Sequence, residues 1–86
     1  MTAISLIQSQ AISARMALIV GADNYDRLFA GVEFSEVDDK ILYVFAPSEE
    51  IAAEIEDTFS LHLIIVASDI LKHDIDFALV LPRVLH

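Results

Sequence analysis

Residues 41–56 read Ile-Leu-Tyr-Val-Phe-Ala-Pro-Ser-Glu-Glu-Ile-Ala-Ala-Glu-Ile-Glu, a change from strand to helix within a few residues. The first six are mostly β-branched or aromatic, which is typical of a strand. Pro47 cannot donate to a sheet, Ser48 is a good N-cap, and the two glutamates that follow favour the positive end of a helix dipole. The sequence therefore predicts a strand that ends at Ala46 and a helix that begins directly after Ser48.

The predicted helix is long. Its apolar residues recur at intervals of four, four, four, three and four, and they are Ile51, Ile55, Phe59, Leu63, Val66 and Ile70. It should end near Lys72, whose charge suits a helix C-terminus. Residues 61–67 taken alone could form a buried strand, but the helical period continues on both sides of them.

Two helices are predicted before this junction. The first covers residues 3–20, Gly21 supplies its C-terminal turn, and Asp23 or Asn24 caps a short second helix over residues 25–30. The apolar residues of the first helix follow the spacing of one helical face, and they are Ile4, Ile7, Ala11, Ala14 and Leu18.

Three strands are predicted. Residues 32–37 and 41–46 form a hairpin across a turn at 38–40, and residues 75–81 alternate as a last strand that Pro82 closes. All 86 residues make one domain. The fold class is therefore α+β, of order α-α-β-β-α-β, with a three-stranded sheet packed against helices on one face.

Negative charge is concentrated in the middle of the chain. The formal net charge is −9, and eleven of the fourteen acidic residues lie between Asp23 and Asp57, where only Arg27 and Lys40 oppose them. This acidic field repels phosphate backbones, so nucleic-acid binding is expected to be weak or absent. Hydrophobic residues make up 56% of the sequence, which predicts an exposed apolar patch for a partner or a second copy.

The composition also bears on the compartment. The sequence has no cysteine, which excludes disulfides and thiolate metal sites and agrees with a reducing environment. Its first residues lack the basic region of a signal peptide, and its apolar stretches are too short to span a bilayer. A cytoplasmic protein without membrane association is predicted.

Few residues could carry chemistry. His62, Asp69 and His73 lie roughly along one side of the predicted long helix, but a zinc site needs three or four convergent ligands. The apolar run before Asp23 and Asp26 can alternatively be read as a strand, and these two carboxylates would then hold a divalent cation in a small enzyme. The segment has neither GxGxxG nor a Walker-type phosphate loop, and no catalytic triad is recognisable. No catalysis, cofactor or metal is predicted.

The junction and its surroundings carry a family resemblance. Residues 25–29 (Tyr-Asp-Arg-Leu-Phe), residues 42–48 (Leu-Tyr-Val-Phe-Ala-Pro-Ser), Phe59 in the following helix and the last strand resemble domain I, the N-terminal domain of the bacterial replication initiator DnaA. In that family the second strand ends in an Ala-Pro-Asn type motif, the helix begins at once, and an aromatic about a dozen residues later packs inward. The resemblance covers residues 4–81. It implies a KH-like fold and a non-enzymatic interaction platform that self-associates and recruits the replicative helicase or a regulator.

Carried over by position, the resemblance places two surfaces on this sequence. The helicase-contacting acidic residue at the start of the second helix falls near Asn24 or Tyr25, between Asp23 and Asp26. With the acidic residues of the long helix, the expected partner-binding acidic face comprises Asp23, Asn24, Tyr25, Asp26, Glu49, Glu50, Glu54 and Asp57. The expected self-association surface on the first helix comprises Ile4, Ile7 and Ala11.

The sequence departs from the family pattern at several points. Glu50 stands where the family often has an exposed aromatic, which weakens the expectation of contacts with the helicase and with single-stranded DNA. Leu28 or Phe29 stands where a tryptophan is usual. No Walker motif, AAA+ core or duplex-binding helix-turn-helix follows. We therefore expect a protein-interaction module of replication initiation that binds an initiator, a helicase or a regulator, as an isolated domain or a stand-alone relative. A KH-like binder of single-stranded nucleic acid is the alternative.

Overall fold

The computed structural model describes residues 2–83 as a small α+β domain. In chain order, its elements are β1 (Thr2–Ala3), α1 (Leu6–Val20), α2 (Ala22–Asn24), β2 (Glu33–Asp38), β3 (Ile41–Ala46), α3 (Glu49–Leu71) and β4 (Phe77–Pro82). A π-helical turn, Tyr25–Phe29, continues α2 directly, so the two form one short helical segment. The four strands form one mixed sheet in the order β1-β2-β3-β4.

The predicted element order is confirmed, with a fourth strand added at the N-terminus. β1 pairs antiparallel with β2, with Thr2 opposite Val37 and Ala3 opposite Glu36, so the prediction that Ala3 belongs to the first helix is wrong. The helix begins later because Ser5 caps it. The Ser5 hydroxyl accepts from the backbone N–H of Gln8, and the Gln8 side chain accepts from the backbone N–H of Ser5. A two-residue strand has no alternation that sequence analysis could detect.

The period of α1 is confirmed, but a different set of its residues is buried. Ile12 and Met16 are fully buried, whereas Ile7 and Leu18 are exposed. Ile4 precedes the helix and packs, half-buried, against the core. Since α1 carries apolar residues on more than one side, spacing alone could not show which side faces the sheet.

Gly21 joins α1 to the short second helix. Its N–H donates to the carbonyl of Ala17 at 3.0 Å, which confirms its predicted place at the end of α1. The prediction that Asp23 or Asn24 caps the second helix is wrong, because that helix begins at Ala22 and Gly21 occupies the N-cap position. Asn24 instead donates through Nδ2 to the carbonyl of Val20, at 3.1 Å.

The strand-to-helix junction forms as predicted. β3 ends at Ala46, and the Ser48 hydroxyl accepts from the backbone N–H of Ile51 at 3.2 Å as the N-cap of α3. α3 ends at Leu71, and Lys72 then adopts a left-handed conformation with φ 53°. Residues 61–67 are helical, which excludes the alternative buried strand.

The predicted core stripe of α3 is also confirmed. Ile55, Leu63 and Val66 are buried, and the other three residues of the stripe are half-buried against the core. The sheet residues that meet the helices are buried, and they are Phe34, Val37, Leu42, Val44, Ala46, Ala78 and Val80. These residues define the helix-facing side of the sheet.

β2 and β3 form the predicted hairpin, and β4 pairs with β3 in parallel. A parallel pair needs a crossover, and α3 supplies it. The N–H groups of Phe77 and Arg83 donate to Lys40 and Ala46, at 3.2 and 2.8 Å, so alternate residues of β4 face β3. β4 ends at Pro82, which agrees with the prediction that Pro82 closes the strand. Pro82 lies in the other set, whose N–H positions face the free edge, so its missing N–H removes no hydrogen bond from the sheet.

Candidate interaction surfaces

A basic side chain, Arg27, joins two residues of the expected acidic face, Asn24 and Glu54. Arg27 donates through Nη1 to Glu54 Oε1 at 2.9 Å and through Nη2 to Asn24 Oδ1 at 3.2 Å. Its Nη2 also forms an ion pair with Glu54 Oε2, at 2.8 Å. The structure thus links the second helical segment to the first half of α3. Arg27 offsets the charge of Glu54, so this residue of the expected acidic face adds little net negative charge.

The electrostatics of this link follow from the hydrogen bonds. The Arg27 guanidinium holds the pKa of Glu54 below its usual value, chiefly by hydrogen bonding and then by its charge, and Glu54 raises the pKa of Arg27 by the same contact. Both side chains are about half exposed, so solvent screens the pair and its contribution to stability is small. The pair is best regarded as a clamp between two helices.

The remaining residues of the acidic face differ in accessibility. Asp23, Asp26, Glu49, Glu50 and Asp57 are exposed. Tyr25 is half-buried and stacks on Phe29 with ring centroids 6.2 Å apart, so its ring belongs to the packing of the domain. The accessible charge therefore comes from two aspartates of the second helical segment and three carboxylates of α3.

A second surface lies on α1. We call it the α1 stripe, defined as Ile7, Ala11, Ala14 and Leu18. All four side chains are exposed; Ile7 retains 80% and Leu18 87% of its accessible area. The stripe contains two of the three residues expected to support self-association, whereas Ile4 is half-buried in the domain. Ala14 and Leu18 belong to the spacing found in the sequence but were not assigned to this surface.

A third surface lies on the side of the sheet away from the helices. Because strand residues alternate between faces, the neighbours of the buried residues in β3 and β4 point outward. We call this set the outer sheet face, comprising Ile41, Tyr43, Phe45, Phe77, Leu79 and Leu81. Phe77 is 66% and Leu79 37% exposed, and the other four are half-buried. This surface could not be predicted from the sequence, because β3 and β4 are apolar on both faces.

The three residues weighed as a metal site in the sequence, His62, Asp69 and His73, each contact a different part of the domain. His62 meets the edge of Phe59, Asp69 pairs with Arg15 of α1, and the His73 ring contacts the carbonyl of Asp39 in the hairpin turn. Across residues 2–83, no three His, Cys, Asp or Glu side chains are grouped so that they could share a metal ion.

The alternative metal-enzyme interpretation depended on a strand before Asp23. Residues up to Val20 are helical, and Asp23 itself lies in the following short helix. The expectation of a strand here is therefore wrong, and Asp23 and Asp26 do not lie at a strand end.

A shallow depression lies beside the end of α3. Its lining alternates in charge, and it comprises Asp39, Lys40, Ser68, Lys72, His73 and Asp74. The Lys72 ammonium is 3.7 Å from the carboxylate of Asp69. The basic groups are thus balanced by carboxylates, and the depression favours neither an anion nor a cation.

The sequence matches no protein-family model and no curated protein. Among the helices of the described part of the chain, none is both long and apolar enough to cross a membrane.

Proposed function

We propose that this chain is a non-enzymatic protein-interaction module that self-associates through the α1 stripe. The observation that carries the proposal is the exposure of this stripe on a helix whose other side already supplies buried core residues. Exposure of the large side chains of Ile7 and Leu18 is unfavourable, and a row of exposed apolar residues along one helical face supports an interaction site there.

The spacing of the stripe suits pairing with a second helix. Its intervals of four, three and four match the d-a-d-a positions of two heptads, the seam along which helices pack in coiled coils. In an antiparallel pair about a two-fold axis, Ile7 would lie against Leu18 of the second copy, and the two alanines would meet at the centre. Small central residues allow close approach, and large ends enclose them.

Charge also favours α1 as the contact between two copies. Each copy carries a net charge of −9, which opposes association through most of the surface. The sequence has no acidic residue before Asp23, and Arg15 is the one charged residue of α1. Two copies can therefore approach through α1 with little repulsion.

Sedimentation velocity over a concentration range from about 5 μM to 1 mM would test self-association. Ala11→Glu adds a charge to the stripe with only a small loss of helix propensity, and Gln10→Glu adds the same charge about 100° away around α1. We expect the wild type and Gln10→Glu to associate with similar dissociation constants. The dissociation constant of Ala11→Glu should be at least tenfold higher. A wild type that stays monomeric, or an Ala11→Glu variant that associates normally, would refute the proposal.

We further propose that the partner belongs to replication initiation, as an initiator, a replicative helicase or a regulator. The support is the resemblance of the sequence to DnaA domain I and the exposure of the carboxylates expected to contact a partner. Asp23 and Asp26 are the best positions to alter, because both are exposed and lie where the family contacts its helicase.

Surface plasmon resonance with the purified initiator and helicase of the same host would test this partner. Asp23→Lys with Asp26→Lys should weaken binding at least tenfold, whereas Asp74→Asn, an exposed acid after α3, should not. Lack of binding by the wild type to any of these partners would reject the replication role. Salt-sensitive micromolar binding to single-stranded DNA would instead favour the KH-like nucleic-acid alternative.

A further inference from the structure

We propose that the outer sheet face binds an amphipathic helix of a protein partner whose apolar side is flanked by lysine or arginine on one edge. This is a second interface, independent of self-association through α1. The evidence for this interface is the arrangement of outward-facing side chains on β2, β3 and β4, which are acidic on β2 and apolar on β3 and β4.

The parallel register of β3 and β4 aligns the apolar side chains in pairs. Ile41 lies beside Phe77, Tyr43 beside Leu79, and Phe45 beside Leu81. All point away from the helices, since the residues between them are buried on the helix-facing side. The result is a continuous apolar surface two strands wide and three rows long.

The dimensions of this surface suit one helix. Two strands about 4.8 Å apart, with their side chains, approach the diameter of a helix, which is roughly 10 Å. Three rows of alternate residues span about 13 Å along the strands, and a helix covers that length in about nine residues at 1.5 Å each. A partner helix of two to three turns would therefore cover the apolar pairs.

β2 borders the apolar surface with acidic residues on the same side. Glu33 lies opposite Phe45, Glu36 opposite Tyr43, and Asp38 opposite Ile41. Glu33 pairs with Arg83 at 3.7 Å, which offsets its charge, so Glu36 is the acidic residue on which the test below relies. β4, on the other side, has no charged residue between Phe77 and Pro82. Negative charge therefore borders the apolar surface along β2 and not along β4, which sets the side on which the partner is expected to be basic.

This arrangement favours a basic partner over the other classes that could occupy an apolar face. A second copy would bring a further net charge of −9 to an already acidic edge, and a nucleic acid would bring phosphates to it. No helix within residues 2–83 packs on this side of the sheet, so the face is accessible to another protein. Opposite charges at the rim would fix the register of the bound helix and raise its association rate.

A designed peptide can test the proposal directly. The probe is a fluorescein-labelled helix of about 14 residues, with leucines on one side and lysines along one edge of that side. The controls are the same peptide with glutamate for lysine and a scrambled peptide without an apolar side. We expect the lysine peptide to bind with a micromolar dissociation constant in fluorescence anisotropy, and both controls to bind at least tenfold more weakly.

Variants of the protein locate the site. Phe77→Thr removes the most exposed aromatic of the face but keeps a strand-forming residue, and it should reduce affinity at least tenfold. Glu36→Lys should reduce it at least fivefold, whereas Glu50→Lys, the same change on exposed α3, should have no effect. Circular dichroism and thermal melts establish that each variant is folded, and an unfolded Phe77→Thr is replaced by Leu79→Thr.

Several results would overturn the proposal. Equal binding of the lysine and glutamate peptides, or unchanged binding by folded Phe77→Thr and Glu36→Lys, would exclude this face as a site for a basic helix. Concentration-dependent association of the protein that Phe77→Thr abolishes would assign the face to a second copy instead. The Ala11→Glu variant of α1 should bind the peptide normally, which keeps this test separate from that of self-association.

Discussion

Gly21 has a backbone conformation that other residues avoid. Its φ of 85° and ψ of 161° lie in a region that is essentially restricted to glycine. There is nothing within 4 Å of where a Cβ would be, so the restriction comes from the backbone and not from crowding. The backbone conformation of Gly21 thus allows α1 to end and the second helical segment to begin at the next residue.

Gly21→Ala should therefore destabilise the fold through backbone strain, by about 1 to 3 kcal/mol. Urea unfolding followed by circular dichroism would measure the loss. Ser13→Ala, within α1, is the control and should be neutral or slightly stabilising, because alanine is the best helix former. A Gly21→Ala variant as stable as the wild type would show that the junction can adopt another conformation.

The ion pair between Arg15 and Asp69 joins α1 to α3 and responds to pH. The hydrogen bond from Arg15, and then the charge of Lys72, hold the pKa of Asp69 below its usual value of 3.8. A carboxyl group whose pKa is lowered in the folded state stabilises the folded state at pH values above 3.8. That stabilisation is lost as the pH falls below 3.8 and through the folded-state pKa.

Asp69→Asn should accordingly lower the melting temperature at pH 6, and the difference from the wild type should shrink below pH 3.8. The effect is expected to be small, since both side chains are about half exposed and screened by solvent. Asp76→Asn, at an exposed site before β4, is the control. A difference that stays constant from pH 6 to pH 3 would mean that the ion pair contributes nothing.

At the scale of the elements, the N-terminus of α3 is capped by one side chain, that of Ser48. Ser48 satisfies a backbone N–H at the start of the longest helix of the described chain, directly after the turn that leaves β3. Ser48→Ala should cost about 0.5 to 2 kcal/mol of stability. Thermal and urea unfolding would measure it, with Ser60→Ala in the middle of α3 as the control that leaves the cap intact. Equal losses in the two variants would contradict the role of the cap.

The sequence predicts elements best where periodicity and capping agree. α3 has one apolar stripe and a strong N-cap, and both its bounds and its buried face were predictable. α1 and β4 are apolar on more than one side, so their existence could be predicted but not the side that packs. β1 could not be predicted, because two residues form a strand only through their contact with β2.

The candidate surfaces show the same limit. The α1 stripe was partly predictable, since exposed apolar residues on α1 follow from its spacing once the core is known to use Ile12 and Met16. The clamp from Arg27 to Glu54 was not, because it joins residues far apart in sequence. The outer sheet face required the register of β3 and β4, which no single-strand pattern contains.

At the scale of the whole molecule, repulsion among carboxylates opposes the folded state. Fourteen acidic residues face five basic ones, so screening of repulsion should outweigh the weakening of the few ion pairs. Raising sodium chloride from about 10 to 300 mM should therefore raise the melting temperature in differential scanning calorimetry. Measurement at low protein concentration avoids a contribution from association. An unchanged or lower melting temperature would show that the ion pairs dominate.

The crossover from β3 through α3 to β4 has a consequence for synthesis on the ribosome. β3 lies in the middle of the finished sheet, but its second neighbour emerges only after the whole of α3. Until then its backbone is an unpaired edge with apolar side chains on both faces, the kind of segment that templates addition of strands from other chains. The nascent chain is therefore most prone to aggregate between emergence of the hairpin and pairing of β4 with β3, and rapid formation of α3 would shorten that interval.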